Sequence, residues 1–191
     1  MLESITIPNS VTTIGGNAFS YCTELTSVTL PNSITEIAYE TFYGCTGLTS
    51  IIIPDSVTEI NYGAFYGCTR LTSITLSHNV KSLGNQAFNN CTGLELVTIP
   101  SSVTHIGDGT FSHCTMLKSV IIPDGVTSIG ISAFEGCTNL KSVTIPDSVT
   151  SLWSGTFSKC KSLKTVYLAS EEQKEKFAYY YFPPEAKLIV K

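Results

Sequence analysis

Apolar side chains recur along this chain with a fixed period of 23 residues. The repeat is visible in three columns of positions that keep the same spacing from one end of the chain to the other. The leucines are Leu2, Leu25, Leu48, Leu71, Leu94, Leu117, Leu140 and Leu163, the phenylalanines are Phe19, Phe42, Phe65, Phe88, Phe111, Phe134 and Phe157, and the cysteines are Cys22, Cys45, Cys68, Cys91, Cys114, Cys137 and Cys160. Self-similarity at a period of roughly 20–50 residues indicates a repeat solenoid.

The unit from Cys22 to Tyr43 shows how the pattern predicts one coil. Leu25, Val28 and Leu30 give an L-x-x-V-x-L sequence, in which strict alternation directs Val28 and Leu30 inward and the residues between them outward. Pro31 then ends the strand, because proline cannot donate to a β-ladder.

The rest of the unit returns apolar side chains to the same core. Ile34 and Ile37 follow a turn, and Phe42 closes the coil as a buried aromatic plug. One coil is too small to bury its apolar face, so we expect seven to eight coils to stack and to be stabilised mainly by contacts with their neighbours.

The unit resembles the BspA-type leucine-rich repeat, also called the Treponema pallidum type. The family pattern, C-x-x-L-x-x-[IV]-x-[IL]-P-x-x-[IV]-x-x-I-x-x-x-A-F, is matched by Cys137, Leu140, Val143, Ile145, Pro146, Val149, Leu152 and Phe157, and by the earlier units. Departures are few: Ser77 replaces the proline, Leu83 and Leu152 replace the isoleucine, and Thr41, Thr110 and Thr156 replace the alanine. The resemblance covers about residues 2–168.

The resemblance implies a right-handed leucine-rich repeat solenoid. It has a parallel β-sheet on the concave face and short turns or 3-10 segments on the convex face. It also implies surface proteins of bacteria, and of some protists, that adhere to host matrix or to other cells. The family has no shared catalytic residues to transfer to this chain.

The pattern fades after Leu168, which divides the chain into a repeat array over 1–168 and a C-terminal cap over 169–191. The segment 169–181 is predicted to be a helix with Ser170 as its N-cap, and 186–190 to be a last strand. We also expect Trp153, which occupies a column that holds glycine in other coils, to pack near this cap.

The N-terminal end has no comparable cap. Leu2, Ile5 and Ile7 already occupy strand positions of a partial coil, and no basic segment followed by an apolar stretch precedes them. An open apolar edge is usually protected. The sequence therefore predicts either a fragment of a longer protein or an oligomer contact at this end.

Composition and charge narrow the class of function. Hydrophobic residues make up 42% of the chain and charged residues 14%, which excludes a disordered chain, and the net charge of −4 does not favour nucleic acid as a partner. No apolar run is long enough for membrane insertion. The chain has two basic and eight acidic residues up to Leu117, and nine basic and seven acidic residues after it.

The cysteine column admits two interpretations. Neighbouring coils bring the Cα atoms within disulfide range, but parallel side chains disfavour the bond geometry, and a spacing of 23 is unlike the short spacing of zinc ligands. The alternative is a buried row of small thiols beside the core. The three histidines occupy three different repeat positions and predict no catalytic arrangement, so we expect no enzyme, no metal and no cofactor.

Two sets of outward positions are candidate binding residues. Tyr39 and Tyr62 share one column, and Tyr43 and Tyr66 share another with Tyr21 next to it; they are expected to be partly exposed and to form either a protein or glycan contact or a simple cover for the turn. On the strand face, whose outward positions are mostly Ser and Thr, the exceptions are Ile52, Leu96, Ile121 and Tyr167. These four are either partner contacts or residues that suit a β-strand.

These features predict a non-catalytic protein-binding or adhesion module, on the cell surface or secreted as part of its full-length protein. Its partner would be a protein or glycan ligand, including extracellular matrix. The alternative is a structural spacer solenoid that projects other domains and binds nothing itself.

Overall fold

The chain folds into a parallel β-solenoid of about eight coils, and a computed structural model describes its residues 2–177 and 181–191. In chain order the elements are β1 (Ser4–Thr6), β2 (Ser27–Thr29), β3 (Glu36–Ile37), β4 (Ser50–Ile52), β5 (Glu59–Ile60), β6 (Ser73–Thr75), β7 (Ser82–Leu83), β8 (Leu96–Thr98), β9 (His105–Ile106), β10 (Ser119–Ile121), β11 (Ser128–Ile129), β12 (Ser142–Ile145), β13 (Ser151–Leu152), β14 (Thr165–Leu168), α1 (Glu171–Phe177) and β15 (Lys187–Val190). The predicted leucine-rich repeat solenoid with a C-terminal helix and strand is confirmed.

The strand face consists of one three- or four-residue strand from each coil, and all its pairs are parallel. The hydrogen-bonded groups are β1–β2, β4–β6–β8–β10 and β12–β14–β15. Pairing between successive coils keeps a register of 23 residues, as in Ser50 opposite Ser73. The exposed–buried–exposed pattern of these strands is the alternation that the sequence predicts.

A second parallel sheet runs along the solenoid, and the sequence did not predict it. Its six strands have two residues each, in the order β13–β11–β9–β7–β5–β3. In β3, for example, Glu36 is exposed while Ile37 is buried. This sheet occupies the part of each coil for which only short turns or 3-10 segments had been expected.

A column of stacked phenylalanine rings runs through the core from coil to coil. The rings of successive phenylalanines from Phe42 to Phe157 lie parallel, with centroids 5.3 Å apart. Phe19 and Phe182 extend the stack by one ring at each end, at 5.4 Å. Each ring from Phe42 to Phe157 therefore has a stacking partner on either side, and this aromatic stack links the coils.

Two positions in every turn have a left-handed backbone. One column contains Asn17, Glu40, Gly63, Gln86, Gly109, Ser132 and Gly155, and the other contains Tyr21, Gly44, Gly67, Asn90, His113, Gly136 and Lys159, with φ between 51° and 70°. Glycine adopts this conformation without steric cost and asparagine tolerates it. The turn around each phenylalanine thus keeps the same shape in coils of different sequence.

The C-terminal segment packs on the last coils and forms hydrogen bonds with them. The Ser170 hydroxyl accepts a hydrogen bond from the Gln173 amide at 3.1 Å, which confirms the predicted N-cap. The side-chain amide of the buried Gln173 donates hydrogen bonds to the backbone carbonyls of Pro146 and Val149. The structure shows helix α1 over Glu171–Phe177 and a bend at Tyr181, and positions 178–180 of the predicted helix lie outside the described residues.

Candidate functional site: the tyrosine face and the strand face

Five tyrosines from neighbouring coils form one surface, the tyrosine face, which we define as Tyr21, Tyr39, Tyr43, Tyr62 and Tyr66. Tyr21 is 68% exposed, Tyr39 is 56% exposed and Tyr62 is 48% exposed, whereas Tyr43 and Tyr66 are half-buried. They lie in the turns that flank the phenylalanine stack. All five tyrosines are therefore at least partly exposed, as the sequence predicts.

Three of these rings are in contact with one another. Tyr43 and Tyr66 are stacked with centroids 4.7 Å apart and an interplanar angle of 3°, and Tyr21 meets Tyr43 edge-on at 5.3 Å. Partial burial, followed by the nearby Tyr21 and Tyr66 and the Glu40 carboxylate, raises the pKa of Tyr43 above its ordinary value. Tyr43 therefore contributes an uncharged ring to this aromatic cluster at neutral pH.

The other two tyrosines lean away from each other. The Tyr39 ring lies across Gly16 of the preceding coil, where any Cβ would collide with it. The Tyr62 hydroxyl instead lies 3.3 Å from the Gln86 side-chain oxygen in the following coil, to which it donates a hydrogen bond. The two side chains of this column thus contact the preceding and the following coil respectively, and both remain exposed.

The strand-face exceptions are exposed but dispersed. Ile52 is 71% exposed, Leu96 54% and Ile121 65%, and they project from three different strands. Leu96 is paired with Ser119, which places it diagonal to Ile121. Leu96 also lines a shallow groove of about 520 Å³ together with His78 and Pro100. This face offers isolated apolar contacts on a hydroxyl-rich surface.

Tyr167 lies apart from the other candidates, at the end of the strand face. It is half-buried and paired with Ile189 of β15. The Lys191 ammonium lies 4.2 Å from the centroid of its ring. The ring is therefore already occupied by a cation from the C-terminal segment.

Trp153 is exposed, contrary to the expectation that it packs near the C-terminal cap. Its side chain is 54% exposed. In the glycine column to which it belongs, an added Cβ at Gly84 or Gly130 would lie 2.7 Å or less from atoms of a neighbouring coil. A large side chain at this position must therefore turn outward into solvent.

The apolar first coil is only partly covered. Ile5, Val11, Ile14 and Phe19 pack against the core but remain partly exposed. Leu2 is 43% exposed. The oligomer contact predicted at this end stays a prediction.

The cysteine column is a row of free thiols in which six of the seven are buried. Each buried thiol donates to the carbonyl of the phenylalanine 26 residues before it, for example Cys68 to Phe42 at 3.2 Å. Burial raises the pKa of the Cys45 and Cys114 thiols to about 12. Within residues 2–177 and 181–191 no group of three or more His, Cys, Asp or Glu side chains could hold a metal ion.

This arrangement predicts a sharp difference in thiol reactivity. The thiolate is the reactive form, so at pH 8 Cys22, which is half-buried, should be alkylated by iodoacetamide at least about tenfold faster than the buried Cys114. Mass spectrometry of peptides from a time course measures both rates. Alkylation in urea is the control and should modify all seven cysteines; equal rates in the native protein would contradict the buried-thiol interpretation.

Comparison with known proteins supports the repeat assignment. The family model described as BspA-type leucine-rich repeat region matches residues 1–118 and 105–185, in six copies. The crystal structure of the T. pallidum leucine-rich repeat protein, TpLRR, is similar with a TM-score of 0.84 and 31% identity, over 97% of this chain and 87% of that one. No curated protein matches.

Two further structures are similar over part of their own length. A leucine-rich repeat protein from Eubacterium ventriosum is 30% identical, over 88% of this chain and 54% of that one, with a TM-score of 0.54. The pneumococcal vaccine antigen PcpA has a TM-score of 0.69 at 23% identity, over all of this chain and 63% of that one, which is a likeness of fold. None of the helices in the described part of the chain is long and apolar enough to cross a membrane.

Proposed function

Because the chain belongs to the BspA-type leucine-rich repeat family, we propose that it is a non-catalytic binding module of a bacterial cell-surface or secreted protein that adheres to host matrix proteins or glycans. Repeats of this family suggest a protein-interaction role. The binding residues would be those of the tyrosine face, with Ile52, Leu96, Ile121 and Tyr167 of the strand face as a second set.

The observation that carries this proposal is the concentration of exposed aromatic rings in neighbouring coils. In the same columns further along the solenoid, the equivalents of Tyr39 and Tyr62 are Asn85, Asp108, Ile131 and Ser154. The fold therefore does not need an aromatic residue at these positions. Tyrosine gives large contact area with little loss of side-chain entropy, which is why it is common in binding surfaces.

The test compares two sets of substitutions in one binding assay. The first variant changes Tyr39, Tyr43, Tyr62 and Tyr66 to Ser, and the second changes Ile52, Leu96 and Ile121 to Ser. Serine already occupies the Tyr43 column at Ser20, Ser112 and Ser158, so the coils accommodate it. Circular dichroism checks that both variants keep the fold.

Each sample is tested against immobilised fibronectin, fibrinogen and a glycan array. We expect saturable binding by the unchanged chain and a loss of at least about tenfold in the tyrosine variant, since clustered aromatic anchors carry most of the energy of an interface. Binding that survives in the tyrosine variant but not in the second would move the site to the strand face. Absence of binding in all samples would favour the alternative function, a spacer solenoid that projects other domains.

A further inference from the structure

The coils that carry the tyrosine face contain acidic residues and no basic ones. Residues 1–69 include Glu3, Glu24, Glu36, Glu40, Asp55 and Glu59, and they include no lysine, arginine or histidine. The rest of the chain balances its charges more closely. The electrostatic field over the tyrosine face is therefore negative, and no side chain of these coils neutralises it.

Three of the carboxylates flank the tyrosines. Glu36 and Glu59 are exposed and directly opposite each other in β3 and β5, three residues before Tyr39 and Tyr62. Glu40 follows Tyr39, and its side chain lies beside Gly63 together with that of Tyr43. Carboxylates thus precede and follow Tyr39 in its own coil, and Glu59 precedes Tyr62 in the same way in the next coil.

This combination is complementary to a cation rather than to an anion or to a purely apolar group. A guanidinium group stacks on the face of a tyrosine ring and forms hydrogen bonds with carboxylates at the same time. The chain has an internal example of a cation over a tyrosine ring at Tyr167, whose ring centroid lies 4.2 Å from the Lys191 ammonium. Tyr39 and Tyr62 are exposed, and their own coils contain no lysine, arginine or histidine, so both rings are open to a cation from a partner.

We propose that the tyrosine face binds a cationic segment of a protein partner, with arginine side chains lying on the Tyr39 and Tyr62 rings between Glu36, Glu40 and Glu59. The inference rests on the proposed function and adds the chemistry of the partner to it. Arginine-rich protein segments therefore bind this face, and acidic or neutral segments do not.

The probe is a fluorescein-labelled peptide of nine arginines, with peptides of nine lysines and nine glutamates for comparison, measured by fluorescence anisotropy. We expect saturable binding of the arginine peptide that weakens about tenfold between about 0.05 and 0.3 M NaCl, because salt screens exposed charges. The lysine peptide should bind several-fold more weakly, and the glutamate peptide should not bind.

Two variants with the same change in net charge separate a local site from general attraction. The first changes Glu36, Glu40 and Glu59 to Gln. The fold accepts glutamine in the Glu40 column, since Gln86 occupies the same position two coils later. The second changes the exposed residues Asp124, Asp147 and Glu172 to their amides. We expect the first to weaken binding of the arginine peptide at least fivefold more than the second, and the change of Tyr39 and Tyr62 to Ser to abolish the preference for arginine over lysine.

The outcomes distinguish this inference from the proposed function. Equal losses in the two charge variants, or no binding of the arginine peptide, would overturn the inference. If the tyrosine variant loses matrix-protein binding while the Glu36, Glu40 and Glu59 variant keeps it, the proposed function stands and a cationic partner is wrong. If the arginine peptide binds as described but no matrix protein or glycan does, the face is a cation site and adhesion to matrix is wrong.

Discussion

Deleting residues 170–191 is expected to make the chain aggregate at concentrations where the full chain stays dispersed. The deletion removes β15, which pairs with β14 along its whole length, and the buried Phe177. It also removes Phe182, the terminal ring on the phenylalanine stack. An unpaired strand edge beside an exposed apolar end is a template for association with other chains.

Light scattering and size-exclusion chromatography measure this effect. The control changes the exposed Glu172 and Glu175 to Gln, which alters α1 without uncovering the last coil, and should stay dispersed. A second variant, Gln173→Ala, removes the side-chain hydrogen bonds to the carbonyls of Pro146 and Val149, of which Pro146 keeps its bond from the Val149 backbone amide, and should cost about 1–3 kcal/mol of unfolding free energy. A deletion variant that remains monomeric would show that 169–191 is not the cap that we propose.

Replacing an interior phenylalanine of the stack should cost about 3–5 kcal/mol of unfolding free energy, which is a large part of the stability of most domains. Phe111 is fully buried and stacks with Phe88 and Phe134. The Phe111→Ala change leaves a cavity that the two neighbouring rings cannot fill, because each is held by its own coil. Urea denaturation followed by circular dichroism gives the loss.

The matched control is Phe19→Ala in the same column. Phe19 is half-buried and stacks with Phe42 in the next coil, so its loss should cost about half as much or less. The comparison measures the combined effect of full burial and of a second ring neighbour, since the substitution and the repeat position are the same. Equal costs at the two positions would mean that the stack does not link the coils.

The sequence predicts the coil, its inward side chains and the end of each strand of the strand face, because all three depend on a strict period. A column of leucine or phenylalanine at every 23rd position has one arrangement that buries all its members. The second sheet could not be predicted in this way. Its strands have two residues, such as Glu36–Ile37, and two residues are too short to show an alternating pattern.

The candidate site was predicted in part. Membership of the tyrosine face follows from column positions, but ring contacts do not, since rotamers decide that Tyr43 stacks on Tyr66 while Tyr39 and Tyr62 diverge. Trp153 was expected to pack near the C-terminal cap because of its place in the last coils, and its glycine column did not enter that expectation. The glycines lie against backbone of a neighbouring coil, which only the structure reveals.

The register of 23 residues also determines how the molecule responds to tension. The backbone hydrogen bonds of both sheets run from coil to coil, so a pull along the solenoid axis loads the junctions between coils in series. A coil that detaches replaces about 5 Å of solenoid with about 75 Å of extended chain, roughly a fifteenfold gain in length. A solenoid anchored at one end and held by a ligand at the other would therefore lengthen in steps under flow, and would dissipate work at each step before the bond to the ligand broke.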